Sequence, residues 1–384
     1  MKSPIDYTKD NTVNLIASIS NAISEDKGLH NELQNLSSSY IQQFDNVVLF
    51  VIDGLPYSFL QENIPQVFEL FNNQVLHPVF PSATTPALTS LATWRTPQEH
   101  WLPWRYTFFK EIGILSSVLP FTTRSWVALN EKTDFNYYYD TPSIYESSKR
   151  TNYVFNREYL INSDYSKSFA KKATRIWCLD FNDMCIKLGN IIKESKDKKY
   201  CYAYDPDFDS LCHAYWVHND KTVEYAKNVF DRINQLLQEI EWTNTLVLLT
   251  ADHGMIDSTP ERNIQAEDYP EFMDMLSIPL SWETRAVFCH VKAGMGEKFE
   301  QWVNLYFADY CECYKSSQLL DDWWFWEWNI HQWFLDRIWD YVLIMKENYI
   351  LVDSILGQKR EPIIWNHWWI SGEEINIPLL WKEL

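Results

Sequence analysis

Short, uninterrupted apolar runs that end in an acidic residue constrain this fold more than any other feature of the sequence. The clearest is DNVVLFVIDGLP, whose apolar run ends at Asp53-Gly54. Its length and lack of polar alternation are typical of a strand buried on both faces of a parallel sheet. Similar apolar runs occur in KKYCYAYDPDFD and TNTLVLLTADHGM, which also end in an acidic residue, and in ETRAVFCHVKAG and, less regularly, DYVLIMKENYILVD. We therefore expect several buried strands that deliver polar residues to one sheet edge.

Helical patterns lie between these runs. KTVEYAKNVFDRINQLLQEIEW has apolar residues at helical spacing, and PALTSLAT follows two threonines in the order of a helix start. This alternation predicts an α/β fold with a mostly parallel central sheet and helices on both faces. We predict a helical lead-in over residues 1–45 and one large domain over 46–384. Residues 119–195 are polar, tyrosine-rich and without clear periodicity, so an inserted cap or a solvated excursion is expected there.

Charge and apolar content restrict the class of partner. The chain has 33 basic and 52 acidic residues, a net charge of −19, whereas binding to duplex nucleic acid requires a basic surface. No apolar run reaches the roughly 20 residues that cross a bilayer, and the first residues lack the pattern of a secretory signal. The seven cysteines form no CxxC pair, which favours reduced thiols. A soluble, cytoplasmic protein with neither duplex nucleic acid nor membrane as partner is expected; its oligomeric state is not indicated.

Acidic residues and histidines follow three of the apolar runs. Asp53 follows the first, Asp209 and His213 the second, and Asp252 and His253 the third. Carboxylate oxygen with imidazole nitrogen is a ligand mix of zinc and manganese sites, and parallel strands place ligands at their carboxyl ends. A single acid at a strand end more often caps a helix. Five such residues at three strand ends indicate a metal site.

HPVFPSATTPALTSLAT contains two candidate nucleophiles. Thr84 and Thr85 precede Pro86, which fits the first position of a helix, so their hydroxyls lie where a helix N-terminus favours an oxyanion or phosphate. From this stretch alone, a plain helix cap is the simpler interpretation. A threonine hydroxyl is a competent nucleophile near neutral pH only when a group such as a bound cation removes or masks its proton.

These motifs together resemble the alkaline phosphatase superfamily. Asp53, Phe-Pro-Ser-x-Thr-x-Pro, Asp-x-x-x-His, Asp-His-Gly-Met and a late Asn-His are most similar to its type I phosphodiesterase and nucleotide pyrophosphatase group. The resemblance extends from about residue 46 to 380, apart from the segment 119–195. It implies an alkaline phosphatase-like catalytic domain.

The resemblance also implies a mechanism. Thr84 would be the nucleophile, with a phosphothreonine intermediate, in hydrolysis of phosphodiester or pyrophosphate bonds of a small nucleotide-like substrate. Two divalent metal ions, zinc or alternatively manganese, would be bound, one by Asp209, His213 and His367 and the other by Asp53, Asp252, His253 and the Thr84 hydroxyl. Arg105 lies near the position where the group often has an asparagine that contacts phosphoryl oxygens, so it is either a phosphate clamp or part of a surface salt bridge.

Two other functions stay open. A phosphomonoesterase or phosphonate hydrolase would use the same scaffold, and a catalytically inactive binding protein would use aromatic loops for protein or glycan contacts.

Tryptophan stands where the group has glycine. The group usually reads HGxxG where this chain has HWLPW, and it has glycine at the positions of Trp216, Trp368 and Trp369. The chain has 9 glycines and 19 tryptophans, although average usage of about 7% predicts roughly 27 glycines. We interpret many of these tryptophans as UGA codons that the source reads as glycine. The alternative is a tryptophan-rich protein with aromatic platforms for sugars or bases.

Overall fold

The computed structural model describes residues 3, 5–25, 27–281, 284–325, 329–338, 340–355, 365–366 and 371–384. Its α-helices are α1 (Thr12–Ile23), α2 (Ser38–Ile41), α3 (Tyr57–Asn63), α4 (Val67–Leu70), α5 (Thr84–Thr93), α6 (Pro97–His100), α7 (Ile144–Ser147), α8 (Glu158–Ile161), α9 (Asp164–Ala170), α10 (Phe181–Glu194), α11 (Asp207–Tyr215), α12 (Asp220–Glu239), α13 (Pro270–Met275), α14 (Gly296–Tyr306), α15 (Ser316–Asp321), α16 (Gln332–Arg337) and α17 (Gly372–Ile375).

The strands are β1 (Asn46–Ile52), β2 (Asn72–Leu76), β3 (Tyr106–Phe109), β4 (Ile114–Ser117), β5 (Thr122–Thr123), β6 (Thr151–Arg157), β7 (Thr174–Cys178), β8 (Lys199–Asp205), β9 (Thr245–Thr250), β10 (Ile256–Asp257), β11 (Asn263–Gln265), β12 (Ala286–Cys289), β13 (Cys311–Lys315), β14 (Tyr341–Met345), β15 (Ile350–Val352), β16 (Trp365–Asn366) and β17 (Ile377–Glu383).

A seven-stranded sheet forms the centre of the molecule, in the order β2-β17-β9-β1-β8-β6-β7. The strands from β9 to β7 are parallel to their neighbours, and β17 is antiparallel to both β9 and β2. Every residue of β1, β8 and β9 is buried, which explains why their sequences are continuous apolar runs without polar alternation. The predicted α/β fold with a mostly parallel sheet and flanking helices is confirmed.

Two apolar runs belong to a different sheet from the one expected. ETRAVFCHVKAG contains β12 and DYVLIMKENYILVD contains β14, and β14 pairs antiparallel with both β12 and β13. One face of this sheet packs with α13 and α14 in a second core that includes Phe272, Phe299 and Leu343. A short strand covered on both faces is apolar in either kind of sheet, so the expectation of parallel strands was wrong here.

The segment 119–195 is not an insertion over its whole predicted length. Residues from Thr151 onward form β6 and β7, the last two strands of the central sheet, and α10 contacts β7 and β8. Their polar character arises because β7 lies at the sheet edge, where three of its five residues are exposed. The lead-in contains two short helices, and Leu15, Ile16 and Ile19 of α1 belong to the same buried core as the central sheet.

No helix among the described residues combines the length and the apolar character needed to cross a bilayer.

Candidate active site

Five of the predicted ligands, Asp53, Asp209, His213, Asp252 and His253, meet at the carboxyl edge of the central sheet. Asp53 and Asp252 follow the adjacent parallel strands β1 and β9. On the other side of β1, the Asp53 backbone N–H donates a hydrogen bond to the carbonyl oxygen of Asp205, the last residue of β8 (2.9 Å). Helix α11, which begins two residues later, carries Asp209 and His213. Three neighbouring strand ends therefore bring these side chains to one place, as the sequence predicts.

Asp53, Asp252 and His253 form a compact group that we call the buried cluster. Their candidate ligand atoms all lie within 4.8 Å of one another, and His253 Nε2 is 3.2 Å from Asp53 Oδ1 and 3.5 Å from Asp252 Oδ2. Asp252 Oδ1 accepts backbone hydrogen bonds from Gly54 (3.1 Å) and His253 (3.0 Å). Asp53 Oδ1 and Asp252 Oδ2 accept no hydrogen bond from a described residue. Two inward carboxylate oxygens beside an imidazole nitrogen fit a divalent cation.

The pKa values of Asp252 and His253 are both raised, so the buried cluster favours positive charge. Burial raises the pKa of Asp252 well above its usual value, and the nearby Asp53 charge raises it further. Burial lowers the pKa of His253, but the charges of Asp252 and Asp53 outweigh this effect and raise it to about 10. A cation bound by these residues would supply the charge that the imidazole proton otherwise provides.

Thr84 lies against the cluster at the start of α5. The helix begins at Thr84 after the extended residue Ala83, and the Thr84 Oγ1 is 3.1 Å from His253 Nε2. Pro86 is the third helical residue rather than the predicted first, and a proline is tolerated there because the first-turn N–H groups have no helical partner. Thr85 is fully buried, whereas Thr84 lines a pocket. The structure thus distinguishes the two hydroxyls.

Asp209 and His213, which we call the helix arm, form the second part of the site. They lie one helical turn apart on α11, with Asp209 Oδ2 2.8 Å from His213 Nε2. Burial opposes ionisation of Asp209, but the neighbouring His213 lowers its pKa below the usual value. Burial is also the main reason that the pKa of His213 is lowered. The third predicted ligand of this half, His367, lies outside the described residues, so its role stays a prediction.

An open pocket of about 410 Å³ joins the two halves of the site. Asp53, Thr84, Asp209 and His213 line it, together with Arg105. The Arg105 charge contributes to the lowered pKa of Asp209, so the guanidinium acts on the interior of the site. Arg105 thus lies where a guanidinium could contact a bound phosphate, and its role stays a prediction.

Three residues that support the buried cluster were not found from the sequence. The Tyr204 hydroxyl donates a short hydrogen bond to Asp53 Oδ2, and burial raises the pKa of Tyr204 well above its usual value, so it stays a donor. Arg285 and Glu374 form a fully buried bidentate ion pair, with distances of 2.9 and 3.1 Å. The only sequence signal for Tyr204 is its place one residue before the end of the apolar run of β8.

Gly254 connects Glu374 to the cluster. Its N–H donates to the Glu374 carbonyl oxygen (2.9 Å), and a Cβ at this position would lie 2.0 Å from the Glu373 carbonyl oxygen. Glycine is therefore required for close backbone approach next to His253.

Comparison with known proteins identifies the family. The model of the type I phosphodiesterase / nucleotide pyrophosphatase family matches residues 47–369. The chain belongs to this family. It is therefore related to phosphoester hydrolases that share the alkaline phosphatase scaffold. Its candidate metal site consists of Asp53, Asp252 and His253. A search of curated proteins finds no significant match.

Solved structures of the family and superfamily share the fold. Murine ectonucleotide pyrophosphatase / phosphodiesterase 5 is 15% identical with a TM-score of 0.67 over 87% of each chain, and an inactive variant of it was solved in complex with AMP. Phosphonoacetate hydrolase from Sinorhizobium meliloti 1021, in complex with phosphonoformate, is 14% identical with a TM-score of 0.61 over 87% of this chain and 89% of its own. At these identities the similarity establishes the fold alone.

Proposed function

We propose that the chain hydrolyses phosphodiester or pyrophosphate bonds of a small, nucleotide-like substrate with Thr84 as the nucleophile. The observation that carries this proposal is the position of the Thr84 hydroxyl. It lies 3.1 Å from His253 Nε2 of the buried cluster and in the same pocket as Arg105 and the helix arm. The complex of a related protein with AMP supports a nucleotide-like substrate.

The chain's own residues account for most of the reaction. The N-terminus of α5 presents backbone N–H groups to a bound phosphate, and Arg105 can donate to two of its oxygens. The Thr84 hydroxyl gives up its proton to solvent and Oγ1 attacks phosphorus. The bond from phosphorus to the leaving oxygen breaks, the leaving oxygen keeps the electron pair, and a phosphothreonine forms. Attack by water then breaks the bond between phosphorus and Oγ1, which releases the product and restores Thr84.

Two divalent cations, zinc or manganese, are the proposed cofactors. The buried cluster with the Thr84 hydroxyl would hold one, and the helix arm with His367 would hold the other. Bound there, they would favour ionisation of the Thr84 hydroxyl and offset negative charge on the phosphoryl oxygens.

A phosphonate hydrolase or phosphomonoesterase is the second candidate function. The shared fold with phosphonoacetate hydrolase favours it, because the same centre can act on phosphorus while the pocket walls select the leaving group. A panel of bis- and mono-p-nitrophenyl phosphate and a phosphonate, each with and without chelator, separates the candidates. Diester preference supports the first function, and monoester or phosphonate preference supports the second.

Replacement of the adjacent threonines tests the nucleophile. We expect Thr84→Ala to lower kcat by about a thousandfold or more, because it removes the attacking atom, while Asp53, Asp252 and His253 remain to hold the cluster cation. Thr85→Ala is the matched control, since Thr85 is buried outside the pocket. An equal loss of kcat in Thr84→Ala and Thr85→Ala would contradict the assignment of Thr84 as the nucleophile. Fewer than two metal ions per chain, with unchanged properties of Thr84→Ala, would favour an inactive binding protein.

A further inference from the structure

Tryptophan is concentrated at backbone positions that disfavour it. Within the described chain, twelve non-glycine residues have positive φ, and six of these are tryptophans: Trp94, Trp101, Trp126, Trp216, Trp242 and Trp323. Positive φ brings Cβ against the backbone, which asparagine and aspartate tolerate better than a bulky residue. Chance alone does not explain why half of these positions carry one residue type that makes up 19 of 384 residues.

Three of the six tryptophans end helices. Trp94 (φ 50°, ψ 32°) and Trp101 (φ 47°, ψ 27°) follow α5 and α6 in the left-handed conformation, where glycine is the usual residue. Trp216 follows α11 with φ 82° and ψ 156°, a region essentially restricted to glycine. Trp216 therefore gives the strongest single observation, and it ends the helix that carries Asp209 and His213.

Trp126 occupies the glycine position of a tight hairpin. Thr123 N–H donates to Val127 O (2.8 Å), Trp126 N–H donates to Thr123 O (3.0 Å), and Thr122 pairs with Ala128. The loop thus has three residues and ends at Trp126 with φ 64°. Three-residue hairpins of this kind place glycine at that left-handed position. The hairpin geometry and the helix ends independently indicate glycine.

Trp242 and Trp323 lie just beyond the ends of α12 and α15, with φ 68° and 59°. Trp242 is 88% exposed and Trp323 is 56% exposed, so neither indole contributes much to packing. Trp94 and Trp101 do pack, and Trp101 Nε1 donates to the Tyr138 carbonyl oxygen (3.2 Å). They are assigned with the other four because they too have a positive φ.

Trp302 shows how a genuine tryptophan differs. It lies inside α14, is 8% exposed, and belongs to the second core. Its Nε1 donates to Glu271 Oε2 (3.0 Å), and its ring contacts Phe307 edge to face. A tryptophan side chain favours a site where the ring is buried and the indole N–H donates a hydrogen bond.

We propose that the six positive-φ tryptophans are glycine in the natural protein, encoded by a codon that the source reads as glycine, with UGA as the candidate. Trp302, in contrast, is also tryptophan in the natural protein. These six positions would account for about a third of the glycine shortfall of the chain. Trp126 lines the active-site pocket and is 65% exposed, so glycine at position 126 widens the substrate pocket; this consequence rests on the proposed function.

Codons and peptide masses test the proposal without any assay of activity. We expect UGA at positions 94, 101, 126, 216, 242 and 323 and UGG at position 302. Peptides of the protein purified from its source should have the mass of glycine at the six positions and of tryptophan at 302. UGG, or a tryptophan mass, at any of the six overturns the assignment for that position.

Recombinant variants give a second test. Trp216→Gly should raise Tm by about 2 °C because it removes a conformation that a side chain disfavours, and Trp302→Gly should lower Tm because it empties a packed site. A lower Tm for Trp216→Gly would overturn the assignment at that position.

The wider pocket that glycine at position 126 would produce can be tested by enzyme kinetics. Trp126→Gly should raise kcat/KM for bis-p-nitrophenyl phosphate by about tenfold, whereas Trp242→Gly, outside the pocket, should leave it unchanged. An unchanged or lower kcat/KM for Trp126→Gly would show that the indole does not obstruct the substrate.

Discussion

The buried cluster and the helix arm occupy the same pocket but are built in different ways. The side chains of Asp252 and His253 are 0% exposed, whereas that of His213 is 23% exposed. The cluster combines residues from two strand ends with backbone donors and Tyr204. The helix arm depends on one turn of α11, which ends at the strained Trp216.

The two halves of the site therefore position their metal ligands in two different ways. The ligands of the cluster are fixed by residues distant in sequence, so the surrounding fold determines their geometry. The ligands of the helix arm are fixed by local helical spacing, which needs little beyond the helix itself. We therefore expect distant substitutions to impair the cluster more than the helix arm.

Arg285→Leu should have the largest effect on the cluster. It removes the guanidinium that pairs with the buried Glu374 carboxylate, which is expected to reduce the free energy of unfolding by about 3–5 kcal/mol. The loss should weaken metal binding at the cluster, because the Glu374 backbone holds Gly254 next to His253. Denaturant unfolding and metal analysis measure both effects.

Arg262→Leu is the matched control for this prediction. Arg262 pairs with Glu347, whose side chain is 68% exposed, so its removal should change the free energy of unfolding by no more than about 1 kcal/mol. Similar losses of unfolding free energy and bound metal in Arg285→Leu and Arg262→Leu would show that the ion pair between Arg285 and Glu374 has no special role.

The contrast also explains what the sequence could predict. Asp53, Asp252 and His253 follow apolar runs, and parallel strand ends meet at one edge, so the location of the site follows from the pattern. Asp209 and His213 have helical spacing, so their pairing follows as well. Both inferences depend on local sequence alone.

Other features depend on contacts between distant segments. Gly254 and Glu374 are in contact although 120 positions separate them, and no local pattern relates the two. The distance of Thr84 from His253 depends on how α5 packs on the sheet. The two strands β12 and β14 were assigned to the wrong type of sheet, because burial on both faces removes the alternation that distinguishes the two types.

Gly254→Ala should affect the cluster directly. The new Cβ would lie 2.0 Å from the Glu373 carbonyl oxygen, so the backbone has to move, at a cost of about 1–3 kcal/mol. We expect a lower Tm and a lower metal content at the cluster. Gly372→Ala is the control, since its Cβ would have only an ordinary 3.4 Å contact; a wild-type Tm and metal content for Gly254→Ala would refute the requirement.

Tyr204→Phe should weaken the cluster without unfolding the protein. The substitution removes the hydroxyl that donates to Asp53 Oδ2, and loss of such a supporting donor typically lowers metal affinity by about 10–100-fold. Tyr200→Phe is the matched control in the same strand, because the Tyr200 hydroxyl has no hydrogen-bond partner among the described residues. Zinc affinity measured with a competing chelator should change only in Tyr204→Phe.

Proton release gives the smallest effect and compares the two halves directly. The pKa of His253 is about 10 in the metal-free protein, so at neutral pH this imidazole must lose a proton before it binds a cation. Burial lowers the pKa of His213, so the histidine of the helix arm is already neutral. Zinc uptake by the cluster should therefore release at least one proton, and the zinc affinity of the cluster should rise with pH below about 10. The helix arm should show little proton release and little dependence of affinity on pH. Zinc titration in weakly buffered solution measures the released protons, with Asp209→Asn used to isolate the cluster. Absence of proton release in that variant would show that His253 does not bind the metal.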